Sequence, residues 1–149
     1  MILLRRRCLT AIFIASAFSA LAFSAGVDAR GLVPEDLARI QRVGDPVFHP
    51  AGKRVAYSVE ETDVSRDAMM SDLWQVAIDG KSPAERLTHT NNSEWHPIYS
   101  PDGQSLYFLA DSGEDATVQV WQMPAAGGPA SAVTCFQQGV EDYAVSPDG

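Results

Sequence analysis

Cysteine is nearly absent from this chain of 149 residues, and the two it has, Cys8 and Cys135, are far apart. Cys8 sits in an N-terminal segment that reads as removable. Cys135 then stands alone, and one thiol cannot close an internal bridge, so the fold has to rest on apolar burial and backbone ladders. Basic residues are also scarce: 11 Lys and Arg stand against 19 Asp and Glu, for a net charge of −8. A surface so acidic, with no basic stripe, repels phosphate backbones and excludes nucleic acid as a partner. Long apolar runs are missing too. The longest apolar run, Cys8 to Phe23, is about 16 residues, short of the roughly 20 that span a bilayer. No Gly-x-Ser-x-Gly pentad occurs, so the strained turn that carries many hydrolase nucleophiles is lacking.

The same N-terminal stretch has a positive identity. Arg5, Arg6 and Arg7 precede the apolar run, and small residues follow it: Ser24, Ala25, Gly26 and then Val27-Asp28-Ala29. That is the layout of a cleaved secretory signal peptide, with Ser24, Gly26 or Ala29 as the last residue removed and Ala29 preferred. Its length argues against a stable membrane anchor. Cys8 lies before the apolar run, where it is not placed to accept a lipid. The sequence therefore divides into a signal peptide at 1–29 and a body at 30–149 that is exported to the periplasm or secreted. Removing three Arg and one Asp takes the body to a net charge of −10.

The body is periodic. His49-Pro50-Ala51-Gly52 recurs as Ser100-Pro101-Asp102-Gly103 after 51 residues and as Ser146-Pro147-Asp148-Gly149 after a further 46. Trp74-Gln75-Val76 recurs as Trp121-Gln122-Met123, and Leu87-Thr88 as Val133-Thr134. Pro pre-sets φ at the second turn position and Gly takes a positive φ cheaply at the fourth, so each tetrapeptide is a hairpin turn. Alternation follows each turn. Val55, Tyr57 and Val59 share one face and Arg54, Ala56 and Ser58 the other, while Leu106 and Phe108 take the places of Val55 and Tyr57. Asp79-Gly80 and Ala126-Gly127-Gly128 end the next strands, and short strands around Leu87-Thr88 and Val133-Thr134 complete the units. Four antiparallel strands per unit of this period match a propeller blade. The fold class is all-β: an incomplete β-propeller, with blades over about 43–90 and 93–137 and a third beginning near Val140. A short helix precedes them. Pro34 suits its first position, Glu35 and Asp36 its positive end, and Gly44 with Pro46 stops it.

Several of these segments together resemble the mature start of serine peptidases of the prolyl-oligopeptidase family. They are Leu32-Val33-Pro34-Glu35-Asp36-Leu37, Arg42-Val43-Gly44-Asp45-Pro46, and the Pro50-to-Ser58 turn and strand. Asp72-Leu73-Trp74, Arg86-Leu87-Thr88 and Trp95 ahead of Ser100 fit as well. The branch most alike is that of secreted bacterial dipeptidyl peptidases and acylaminoacyl peptidases. Val33 departs from the usual Thr, which would cap the helix. His49 and Ala51 depart from the Ser and Asp of the first turn. The resemblance implies peptide-bond hydrolysis by a Ser-His-Asp triad, without metal or cofactor. That triad would lie in an α/β-hydrolase domain following the propeller, which becomes the main partner of this segment, with short peptides as substrates. No catalytic, cofactor or metal residue is assigned within 1–149. The alternative is a non-enzymatic periplasmic propeller of the TolB type, binding a protein or a polysaccharide, because the Ser-Pro-Asp-Gly turn is common to many propellers.

Other clusters carry plainer expectations. Gly80-Lys81-Ser82 lacks the first Gly and the helix of a phosphate loop and reads as a turn. His49, His89 and His96 lack metal-ligand spacing. Asp111, Glu114 and Asp115 read as a solvated hairpin loop in preference to a calcium site. Glu60, Glu61, Asp63 and Asp67 form the equivalent loop of the first unit. Trp74 and Trp121, at matching positions, read as blade packing ahead of a sugar platform, with Trp95 the third indole. Asn91-Asn92-Ser93 is a formal glycosylation sequon.

Overall fold

The computed structural model describes residues 31–112 and 117–148. The expected signal peptide, and Glu114 and Asp115 of the acidic loop, lie outside the described residues. From Leu32 onward the chain forms one compact unit. Its helix α1 covers only Pro34–Leu37. Val33 offers no side-chain cap, yet its N–H donates to the Asp36 carboxylate at 3.1 Å, half of a capping box. The expectation that Gly44 and Pro46 end the helix is corrected: it stops at Leu37, and a strand has begun by Arg42.

Eight strands follow in two antiparallel sheets of four. The first holds β1 (Arg42–Phe48), β2 (Arg54–Asp63), β3 (Ala68–Ala77) and β4 (Glu85–Arg86); the second holds β5 (Glu94–Tyr99), β6 (Ser105–Ser112), β7 (Thr117–Pro124) and β8 (Ser131–Ala132). Each sheet is a meander in chain order. β5 packs against β1, β2 and β3, whereas β4 and β8 make no contact with each other among the described residues. The sheets converge at their first strands and splay at their fourth, which is how neighbouring propeller blades fan out.

The fourth strands fall two residues earlier than expected. Leu87 and Thr88 have left the ladder but still serve it. Leu87 N–H donates to Leu73 O at 2.7 Å, and the Thr88 hydroxyl accepts from Leu73 N–H at 2.9 Å. Val133 and Thr134 treat Val120 in the same way, at 2.8 and 2.9 Å. The recurrent threonine closes a strand by supplying a side-chain acceptor where the backbone turns away.

The buried core lies between the sheets. Ala56, Leu73 and Leu87 of the first meet Leu106, Phe108, Ala110 and Met123 of the second. Leu73, Leu106 and Phe108 are each at most 2% exposed, and full burial of such a side chain contributes about 1.5–3 kcal/mol. Register shows which faces meet. Ala56 pairs with Gln75 and Ser58 with Leu73, so the first sheet offers its small-residue face. Leu106 pairs with Met123 and Phe108 with Trp121, so the second offers its large-residue face. By turn alignment Leu106 and Phe108 correspond to Val55 and Tyr57, which lie on the opposite face of the first sheet. The sheets therefore stack face to back, all in one sense. Leu106 and Phe108 are shielded from water because the preceding sheet covers them. Val55 and Tyr57 are only half-buried, and Val43 and Phe48 on β1 are exposed.

Candidate functional site

Both first strands carry an irregularity at the same place. Pairing slips between Gly44 and Val47 and again between Trp95 and Ile98. The slip contains Asp45-Pro46 in one sheet and His96-Pro97 in the other. Pro cannot donate to a ladder, so it marks a bulge. Asp45 and His96 both take a positive φ, 49° and 54°. Such values cost energy for residues other than Gly, and Asn, Asp and His are among those that adopt them most often. These bulges went unnoticed in the sequence, although an X-Pro pair 51 residues apart inside two expected strands was the available signal.

The bulges tie the sheets together. Asp45 Oδ2 accepts from the Ser58 hydroxyl and from His96 N–H, both at 3.2 Å. His96 O accepts from the Tyr143 hydroxyl at 2.7 Å, and the two rings meet edge to face. Burial and the nearby Asp142 push the Tyr143 phenol up, which keeps it a donor. His96 Nε2 lies 3.6 Å from Asp142 Oδ1. Beside this network, at the convergent edge, opens a cleft of about 410 Å³. Arg42, Asp45, Glu60, Ser93 and the half-buried Trp95 contribute to its walls, and Arg42 pairs with Glu60.

A second polar group lies where the sheets meet. Asp72, 5% exposed, pairs with Arg86 at 2.6 Å. Glu94, 2% exposed, accepts from the Thr90 hydroxyl. Burial pushes the Glu94 carboxyl up, the Thr90 and Thr88 hydroxyls oppose this, and the charges of Asp72 and Asp111 add to it. None of these was singled out as a buried acid in the sequence. Glu94 opens β5 directly after a polar Thr-Asn-Asn-Ser link.

The remaining candidates are local structure. His49 caps its own turn: Ala51 N–H donates to Nδ1 at 3.0 Å, which leaves Nε2 to donate to Gly103 O, also at 3.0 Å. In the second turn Ser100 does the equivalent work, accepting from Ser105 N–H at 2.9 Å and donating to Asp102 at 2.6 Å. Ser100 and Gln104 N–H hold Asp102 below the ordinary carboxylate value. Gly80-Lys81 is a turn, with Lys81 N–H on Asp79. Glu61 accepts from Gln41, and Asp63 organises its loop through Ser65 and Arg66. Asn91 Oδ1 accepts from Arg66 at 2.8 Å. Trp121 packs on the core, and Trp74 sits across from Tyr57, half-buried. His89 is exposed. Among the described residues no Ser or Thr hydroxyl is hydrogen-bonded to a histidine. The cleft can bind through charged, hydroxyl and indole groups.

The chain resembles peptidases over most of its length. It is 32% identical to the peptidase YuxL of Bacillus subtilis (strain 168) over 120 residues, 79% of this chain and 18% of YuxL. It is 30% identical to dipeptidyl-peptidase 5 of Porphyromonas gingivalis over 82 residues, 55% of this chain and 12% of that protein. The chain thus spans less than a fifth of the curated relatives it matches. Among solved structures, the AtxE2 isopeptidase without ligand aligns with a TM-score of 0.61 at 21% identity, covering 74% of this chain and 21% of the isopeptidase. A TolB protein of Agrobacterium tumefaciens aligns at 0.55 and 24%, covering 74% of this chain and 36% of its own. No protein-family model matches. These likenesses agree with the resemblance drawn from the sequence, and the structural ones carry the propeller fold. The chain is a peptidase-related propeller segment.

Proposed function

We propose that this segment supplies the first blades of the propeller of an exported serine peptidase that hydrolyses short peptides. The observation that carries the proposal is the 32% identity with a peptidase across 120 residues, 79% of this chain. In this reading the triad belongs to an α/β-hydrolase domain of the same protein, and the acyl-enzyme chemistry is performed there. The blades act by exclusion. A ring of stiff sheets admits short or extended peptides and refuses folded ones. The cleft beside Asp45, Glu60 and Trp95 offers a polar wall at the convergent edge, where a passing peptide would be met. The TolB likeness favours a second reading, a propeller without catalysis that binds a protein or polysaccharide.

The experiment compares the full-length gene product with residues 30–149. A fluorophosphonate probe should label the full-length protein at one serine, and dipeptidyl or acyl-aminoacyl chromogenic substrates should be turned over. The short chain should do neither. A full-length protein that resists the probe and hydrolyses nothing would overturn the peptidase reading in favour of the binding propeller. Export is checked by N-terminal sequencing of the mature protein, expected to begin between Ala25 and Arg30. A mature form that keeps Met1 would refute the cleaved leader.

A further inference from the structure

Ser93 and Trp95 line the polar cleft at the convergent edge, and the residue between them in the chain is Glu94. Its carboxyl is 2% exposed and has no basic partner among the described residues. The Thr90 and Thr88 hydroxyls hold it. Each hydroxyl also accepts from the backbone, Thr88 from Leu73 N–H and Thr90 from Asn92 N–H, so the carboxyl is tied to β3 and to the link between β4 and β5. Ser93 is anchored twice: its N–H donates to Asp111 Oδ1 at 2.6 Å, and its hydroxyl accepts from Ser71 N–H at 3.3 Å. The charges around Glu94 do not neutralise it. Asp72 on β3 and Asp111 on β6 are acids and act on it. Arg86 of β4 is committed to Asp72. From β1 and β2 come Arg42, which pairs with Glu60, and Asp45, which holds Ser58 and His96 N–H. Glu61 and Asp63 at the end of β2 are acids too, and Arg54 acts on Tyr99 at the other end of β5. His89, within the link, is exposed. A buried carboxylate without a cation is costly; the cost is relieved by keeping a proton, by admitting water or by letting the side chain out.

We propose that Glu94 is a proton-dependent latch on the cleft. Protonated, the carboxyl stays between the sheets and the link from Thr88 to Ser93 stays closed. Ionised, it draws water in, the link opens, and Ser93 and Trp95 lose their fixed places in the cleft wall. The cleft is set at acid pH and loosened as pH rises. The sign follows from linkage. The closed form binds the proton more tightly than the open one, so the opening equilibrium rises by about tenfold per pH unit above the ordinary carboxylate value and levels off once the closed form ionises. The latch acts on the cleft that the peptidase reading uses, but it needs no triad and stands if that reading fails.

Hydrogen exchange of the full-length gene product, followed by mass spectrometry from about pH 4 to about pH 9, tests this. The readout is the opening constant of peptides containing Ser71 and Ser93, taken as the observed exchange rate divided by the intrinsic rate at each pH. It should rise by about tenfold per pH unit and then level off, and in Glu94→Gln it should be flat. His89→Asn should keep the rise. Opening that is independent of pH in the parent overturns the proposal. So does a rise that survives Glu94→Gln or vanishes in His89→Asn. If Glu94→Gln does not fold, Thr90→Val decides. Loss of one donor to the carboxylate makes the closed form harder to ionise, so the levelling should move to higher pH, and levelling that does not move overturns the latch. Turnover of the chromogenic substrates is scored separately; an inactive protein whose opening still follows pH in this way sinks the peptidase reading alone.

Discussion

Gly103 and Gly52 occupy the same position in successive turns, with φ of 70° and 65°, yet they have different surroundings. A Cβ on Gly52 would meet nothing within 4 Å, whereas one on Gly103 would lie 2.6 Å from His49 Cε1 and 2.7 Å from Nε2. Gly52→Ala should therefore cost only the left-handed backbone, about 1–2 kcal/mol. Gly103→Ala adds the displacement of the His49 ring. That breaks the Nε2 bond to Gly103 O and the Nδ1 cap on Ala51, each contributing about 0.5–1.5 kcal/mol. The total is about 2–5 kcal/mol. Urea unfolding of both variants measures the difference, and His49→Ala completes a double-mutant cycle. With the ring gone, Gly103→Ala should cost no more than Gly52→Ala. Equal losses in the two glycine variants would refute the reasoning. So would additivity of His49→Ala and Gly103→Ala within about 0.5 kcal/mol.

Thr88→Val keeps the shape and leaves the buried Leu73 N–H without its acceptor, so unfolding should show a loss of about 1–3 kcal/mol. A neutral result would mean that the Thr88 hydroxyl does not close the strand. The Glu94 carboxyl is raised on folding, so its contribution is fully present below its unfolded value and is lost as pH rises through the folded one. Glu94→Gln should then gain stability relative to the parent as pH climbs from the ordinary carboxylate range towards neutrality; a difference that stays flat with pH contradicts this. Residues 30–149 should self-associate through the Val43, Phe48 and Tyr57 face of the first sheet, and charged replacements there should reduce it. Light scattering that finds a monomer at every concentration would sink that expectation.

The period carried most of the fold because turn residues are chosen by local backbone geometry, which is written in the sequence one position at a time. Gly52 and Gly103 both take the positive φ that the recurrent turn requires. Face identity was harder. Val55-Tyr57 and Leu106-Phe108 are equivalent by alignment but not by environment, because burial depends on which neighbour stands beside each sheet. Alternation separates two faces and cannot say which is covered. The helix ended early because extended backbone at Arg42–Phe48 pairs with β2 along most of its length, from Arg42↔Glu60 to Phe48↔Val55. Those ladder bonds outweigh the weak propensity of a short helix. In the candidate site, Glu94 was hidden by its polar surroundings. A Thr at 90 and an Asn at 92 look like solvent-exposed loop until the first sheet packs against the face of β5 that carries Glu94.

His49 looked like a harmless departure from a Ser. It trades a bond within one turn for a bond between two. Ser100 spends its hydroxyl on Ser105 and Asp102, inside its own hairpin, and has nothing left for the next sheet. His49 is long enough to cap Ala51 with one nitrogen and to reach Gly103 with the other. The bulges behave differently. Asp45 accepts from His96 N–H, and His96 O in turn accepts from Tyr143, so that clasp is passed from one unit to the next. One end of the interface is thus held by contacts at the bulges and the other by the His49 contact between the turns. The two bulge contacts differ in kind, a carboxylate on a backbone N–H in one and a phenol on a backbone carbonyl in the other. The clasp at the turns gives the pair of sheets a second point of attachment. That is where a segment with one uncovered face and a polar cleft most needs rigidity, since Arg42, Asp45 and Trp95 keep a fixed spacing only if the two sheets cannot rock about their first strands.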